Sequence, residues 1–183
     1  MTSAVLRLMR PAYVLGFGLT FAAGALALMA YAAQMHSLML IVLGNVLFSI
    51  GSAPGIAIVA DLVVSAAPKE RSGAASALSE TASEFGGALG IALLGSLATL
   101  LYRSALGAAM PTGVPVNTME TALRGIGAAS SLAPSLGTDN ALLSAARTAY
   151  TSAADATFLT AAGIMLATAI VAVTMFRGQE TRG

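Results

Sequence analysis

The sequence predicts an all-α membrane protein that crosses a bilayer through four helices. Three observations carry that reading. Only 9% of the 183 residues are charged and 57% are hydrophobic, whereas a soluble domain carries roughly 25% charged residues to cover its surface. Mean hydropathy is +0.83. Most telling, Asp, Glu, Lys and Arg are absent from Pro11 to Ala60, from Phe85 to Tyr102 and from Ala156 to Phe176. A helix needs about 20 apolar residues to span the hydrocarbon core, so the first of these windows is long enough for two spans.

The first span is expected over residues 11–31, with Pro11 in the first turn, where its missing N–H costs nothing. Arg7 and Arg10 precede it as basic residues precede a signal peptide. The apolar run exceeds a secretory h-region and no cleavage site follows, so it reads as a retained span. The break YAAQMHS is short and uncharged, which predicts a tight antiparallel hairpin. The second span is expected over 38–66, interrupted by GSAPG at Gly51–Gly55. Pro54 removes one helical hydrogen bond and is expected to kink the helix. Gly51 and Gly55 form a small-xxx-small pair that admits a close neighbour, and Asn45, Ser49 and Ser52 read as interhelical hydrogen-bonding groups.

PKERSG, residues 68–73, is a polar turn. The third span is expected over 74–102. Its second half, GGALGIALLGSLATLL, places Gly86 and Gly90 one turn apart beside Gly87, the pattern of a helix packed among other helices. Residues 103–155 form a long extracytoplasmic loop with Pro111, Pro115 and Pro134. Asn117 followed by Glu120 predicts an N-capped helix over 118–129. A further helix is expected to start near Asp139 or Asn140 and run into the fourth span, 156–176. The whole chain, 1–183, reads as a single membrane domain.

Orientation follows from the basic residues beside the spans. Arg7, Arg10, Lys69, Arg71, Arg177 and Arg182 fall on one side, and Arg103, Arg124 and Arg147 on the other, spread over the long loop. This predicts a multi-pass cell-membrane protein with both termini cytoplasmic. Tyr13, Tyr31, Tyr102 and Tyr150 fall at predicted segment ends, as interfacial anchors do.

Glu80 and Glu84 are the candidate functional residues. They lie one helical turn apart and so share a face. A charge at mid-bilayer costs on the order of 3 kcal/mol, so an intramembrane carboxylate points to function. Carboxylates sharing a low-dielectric face can bind and release protons or attract a cation. The competing reading is that Glu80 is solvated among the cytoplasmic headgroups. Asp61 reads as a helix cap or a charge partner of Lys69 or Arg71, and His36 as a solvated turn residue. The lack of Cys and the single His argue against a metal centre. No cofactor motif and no nucleophile–base pair occurs, which argues against an enzyme. The few basic residues form no cluster for nucleic acid.

The stretch GSAPGIAIVADLVVSAAPKERSGAASALSETASEFGGALGIALLGSL resembles the C-terminal region of the fourteen-helix drug:proton antiporters, the QacA/EmrB-like branch of the major facilitator superfamily. The opening LRLMRPAYVLGFGLTFAAGAL is similar to that family's eleventh helix and the loop before it. The resemblance implies a partial major facilitator fold made of the last four helices. It places Glu80 and Glu84 at positions of cation recognition and proton coupling, and Gly86, Gly87 and Gly90 in a helix-packing stretch. The expected function is that of the C-terminal part of a proton-coupled exporter of hydrophobic or cationic compounds. Its partners would be the lipid bilayer, protons, a small-molecule substrate and a helix-helix partner chain supplying the missing helices, since alternating access needs two halves to rock. The alternative is a freestanding four-helix assembly or regulatory subunit without transport activity.

Overall fold

The computed structural model describes residues 11–132 and 141–180, and the described residues contain helices and turns but no strand. Four helices are long and apolar enough to cross a membrane. They are α1 (Pro11–Gln34), α2 (Leu38–Ala66), α3 (Ser72–Ala108) and α6 (Ala141–Glu180). A 3₁₀ turn, Lys69–Arg71, joins α2 to α3, and two short helices, α4 (Val116–Ala122) and α5 (Ile126–Ser131), lie between α3 and α6. Arg7, Arg10, Pro134, Asp139, Asn140 and Arg182 lie outside the described residues.

The α1–α2 hairpin closes by backbone geometry. His36 sits at φ 51°, with its N–H donating to Ala33 O at 3.3 Å and the Ser37 N–H to Ala32 O at 3.2 Å. This paired pattern around one left-handed residue ends the helix and satisfies its last carbonyls. Ser37 then starts α2, its Oγ accepting from the Leu40 N–H at 3.5 Å. Two helix ends are thus managed in four residues.

α1 is the centre of the bundle, flanked by α2 and α6; α3 lies against α6 and touches α2 only lightly. The approach of α1 and α2 rests on glycine. A β-carbon on Gly18 would stand 2.6 Å from Gly51 O, and one on Gly51 would stand 2.9 Å from Gly18 O. Backbones that close exclude any side chain. On the other flank, a β-carbon at Gly16 would collide with Val173 of α6. Gly55 makes only ordinary contact, its β-position 3.6 Å from Leu15 Cδ2.

Helix length explains the outer layer. At 1.5 Å per residue, α3 is about 55 Å long and α6 about 60 Å, against roughly 30 Å of hydrocarbon. Both therefore project beyond the bilayer, and α4 and α5 pack on the projections. The described residues between the third and fourth spans form a folded cap with its own core. Tyr102, Leu106, Ala122, Ala129, Leu142, Leu143 and Ala146 are all buried there, with Met110, Val114 and Ile126 packed around them.

Several expectations need correction. The 118–129 helix is two helices, because Gly125 at φ 145° breaks the chain direction between them. Asn117 is not the cap: Pro115, at φ −58° and ψ 143°, precedes α4, and Asn117 Oδ1 accepts from the adjacent Thr118 N–H at 2.9 Å. Tyr102 is no interfacial anchor; it is 4% exposed within the cap core. Ser49 and Ser52 donate to Asn45 O and Ser49 O of their own helix rather than to a neighbour. Helix hydroxyls often bond back in this way when no partner is within reach. Asp61 is exposed, lies five residues before the end of α2, and pairs with neither Lys69 nor Arg71.

Candidate functional site

α3 carries the two carboxylates, and its sequence explains its shape. Residues 72–108 contain no proline, and Ala, Leu, Ser and Gly fill it without bulk. Ser72 Oγ donates to Lys69 O at 3.0 Å, and Thr81 and Thr99 donate to Ala77 O and Gly95 O at 2.8 Å. These bonds occupy three of the helix's hydroxyls, and the charged groups on the half of α3 that follows the α2–α3 turn are Glu80 and Glu84.

From the first residue of α3, Glu80 stands about 12 Å along the axis and Glu84 about 18 Å. α2 rises beside it for about 43 Å, so both carboxylates lie within the height of the hairpin, Glu84 the deeper. Both side chains are exposed and, among the described residues, neither has a hydrogen-bond or ion-pair partner. No described residue neutralises them.

The surface around them is equally open. Leu78, Phe85, Ile91 and Leu93 are 63–78% exposed. β-Carbons at Gly86, Gly87, Gly90 and Gly95 would meet nothing within 4 Å. The structure thus separates the glycines into two groups. Gly51 is closed onto α1, whereas Gly86, Gly87 and Gly90 belong to a face that none of the described helices covers. Pro54 lies within an uninterrupted α2, half-buried, on the helix whose exposed side also carries Val42, Val46, Ile50 and Ile56. Among the described residues, Gly55 faces Leu15 of α1 rather than the carboxylates.

One polar link was not foreseen from the sequence. Gln34 Nε2 donates to Asp155 Oδ2 at 3.0 Å, joining the end of α1 to α6. Asp155 directly precedes the charge-free window of the fourth span, which was the signal that a carboxylate marks the bilayer edge there.

The fold and the site define a class: a polytopic α-helical membrane protein with a bare, carboxylate-bearing helix face. No family model matches the chain, and no solved structure matches it. Among curated proteins, the chain is 40% identical over 119 residues to the multidrug efflux pump LfrA of Mycolicibacterium smegmatis, a match covering 64% of this chain and 23% of the pump. The chain therefore spans about a quarter of the length of the relative it matches.

Proposed function

We propose that the four helices serve as the C-terminal portion of a proton-coupled multidrug efflux transporter for hydrophobic or cationic compounds. The observation that carries this is the 40% identity to a multidrug efflux pump. The open α3 face supports it, because carboxylates on an uncovered helix face suit a path completed by further helices. In this reading Glu84 and Glu80 bind protons or a cationic substrate, and Gly86, Gly87 and Gly90 admit a neighbouring helix. Both termini face the cytoplasm and the cap lies outside, in keeping with Lys69 and Arg71 at the α2–α3 turn.

Co-expression with the complementary remainder of LfrA, in cells lacking other exporters, tests this reading. The expected result is lower accumulation of a fluorescent lipophilic cation than with the remainder alone. A protonophore or Glu84→Gln should restore accumulation. Unchanged accumulation on adding the chain would overturn the proposal. The bare α2 and α3 faces also favour a second reading, an assembly or regulatory subunit without transport. Stable co-purification with a partner, without export, is its signature.

A further inference from the structure

A cavity of about 470 Å³ lies between the outer parts of α3 and α6, beneath the α4–α5 junction. Thr99 and Tyr102 form one wall, Ala154 and Phe158 the other, and Arg124 and Gly125 the roof. Its size falls within the usual range for small-molecule sites. Its height is fixed by the sequence: Tyr102 ends one charge-free window and Phe158 lies near the start of another, so the cavity straddles the outer edge of the apolar layer.

The walls are mostly apolar, with the Tyr150 phenol as their one hydroxyl not bonded within the described residues. Thr99 and Thr157 donate to Gly95 O and Ala153 O, and Tyr102 Oη donates to Ala122 O. Among the described residues, Arg124 is the one charged residue lining the cavity, and no carboxylate lines it. The acid nearest in sequence on α6, Asp155, is turned to Gln34 of α1. Arg103 is engaged differently, its Nε donating to Leu123 O at 3.1 Å. The roof is shaped by Gly125, whose φ of 145° excludes a side chain.

A mostly apolar chamber with the exposed Arg124 at its roof selects a ligand of matching polarity. We propose that this cavity binds an amphiphile with one anionic head on an apolar body, the chemistry shared by a free fatty acid and an anionic phospholipid. The head meets Arg124 on the outer side, and the body lies against Phe158 and Ala154 toward the bilayer. This site is separate from the Glu80–Glu84 face and does not depend on the transport reading.

Photolabelling tests it, using the purified full chain in phosphatidylcholine nanodiscs. The probes are a diazirine fatty acid, the matching fatty alcohol and a diazirine phosphatidylglycerol. Labelling by the fatty acid or by phosphatidylglycerol, mapped to residues 98–102 and 150–158, supports the site, and which of the two labels identifies the source. Arg124→Gln should reduce labelling about tenfold, as loss of a charge-assisted contact does, and Arg124→Lys should retain most of it. Ala154→Leu should block labelling while hydrogen exchange across 116–131 stays unchanged, which shows the cap still folded. Equal labelling by the alcohol, or an Arg124→Gln variant that labels as the parent does, would overturn the proposal.

Discussion

Gln34 of α1 and Asp155 of α6, 121 positions apart, meet through a 3.0 Å hydrogen bond. It is the one side-chain bond between two spanning helices among the described residues, and it lies where α1 ends and α6 continues outward. Asp155→Ala removes the acceptor and should cost about 1 kcal/mol, the ordinary scale for an exposed bond. Asp155→Asn keeps an acceptor and should cost less. Denaturant titration in detergent measures the difference.

Tyr102 anchors the cap. Its Oη donates to Ala122 O at 2.9 Å, and its neighbour Arg103 holds the next carbonyl, Leu123 O. Two consecutive residues of α3 thereby tie down the end of α4. Tyr102→Phe removes one of two donors to Ala122 O, which still accepts from the Gly125 N–H at 3.3 Å, and should cost about 0.5–1.5 kcal/mol. Faster hydrogen exchange confined to residues 116–131 is the expected readout, with the spans unaffected.

Glycine substitutions should divide along the line the structure draws. Gly51→Ala places a β-carbon 2.9 Å from the α1 backbone and should destabilise the chain by about 1–3 kcal/mol. Gly86→Ala meets nothing and should be neutral, or gain up to about 1 kcal/mol from helix propensity. Gly86→Leu should likewise leave the isolated chain folded, yet block assembly if further helices seat on that face. Thermal unfolding and co-purification, run on the same variants, separate the two effects.

His36 occupies a left-handed position that costs an L-residue about 1–2 kcal/mol. His36→Gly relieves that strain but adds unfolded-state entropy. The net should be a gain of about 0.5–1 kcal/mol, seen as a higher unfolding temperature in detergent.

Glu84→Gln tests the carboxylate face without disturbing the fold. Because Glu84 has no partner among the described residues, folding stability should stay within about 0.5 kcal/mol of the parent, as for other surface substitutions. Loss of export in the reconstituted pump, with unchanged stability, assigns the residue to function.

The spans were legible because uncharged windows are set by local composition, and lipid forbids charge wherever it falls along the chain. The α1–α2 turn and the continuity of α6 followed from equally local signals. The cap was not legible in the same way. Its core joins Tyr102 and Leu106 to Ala129 and Leu142, residues whose meeting depends on two helices projecting past the bilayer. Tyr102 looked like an anchor because its position at a window's end says nothing of what folds over it. For the same reason the serines of α2 were assigned to neighbours: a sequence shows a hydroxyl but not how near another helix comes. Glu80 and Glu84 stood out because their cost in lipid is intrinsic. The Gln34–Asp155 bond did not, since each residue alone sits unremarkably at an edge.

α6 runs unbroken from the cap core to the opposite end of the bundle, without a proline in its 40 residues. A rod about 60 Å long does not bend easily, so it behaves as a lever. A tilt of about 5° inside the bilayer would displace its outer end by roughly 5 Å over that length. Since α4 and α5 are fastened to that end, any rocking of α6 against α1 would be felt as motion of the cap surface, and a binder clamped on the cap would resist it.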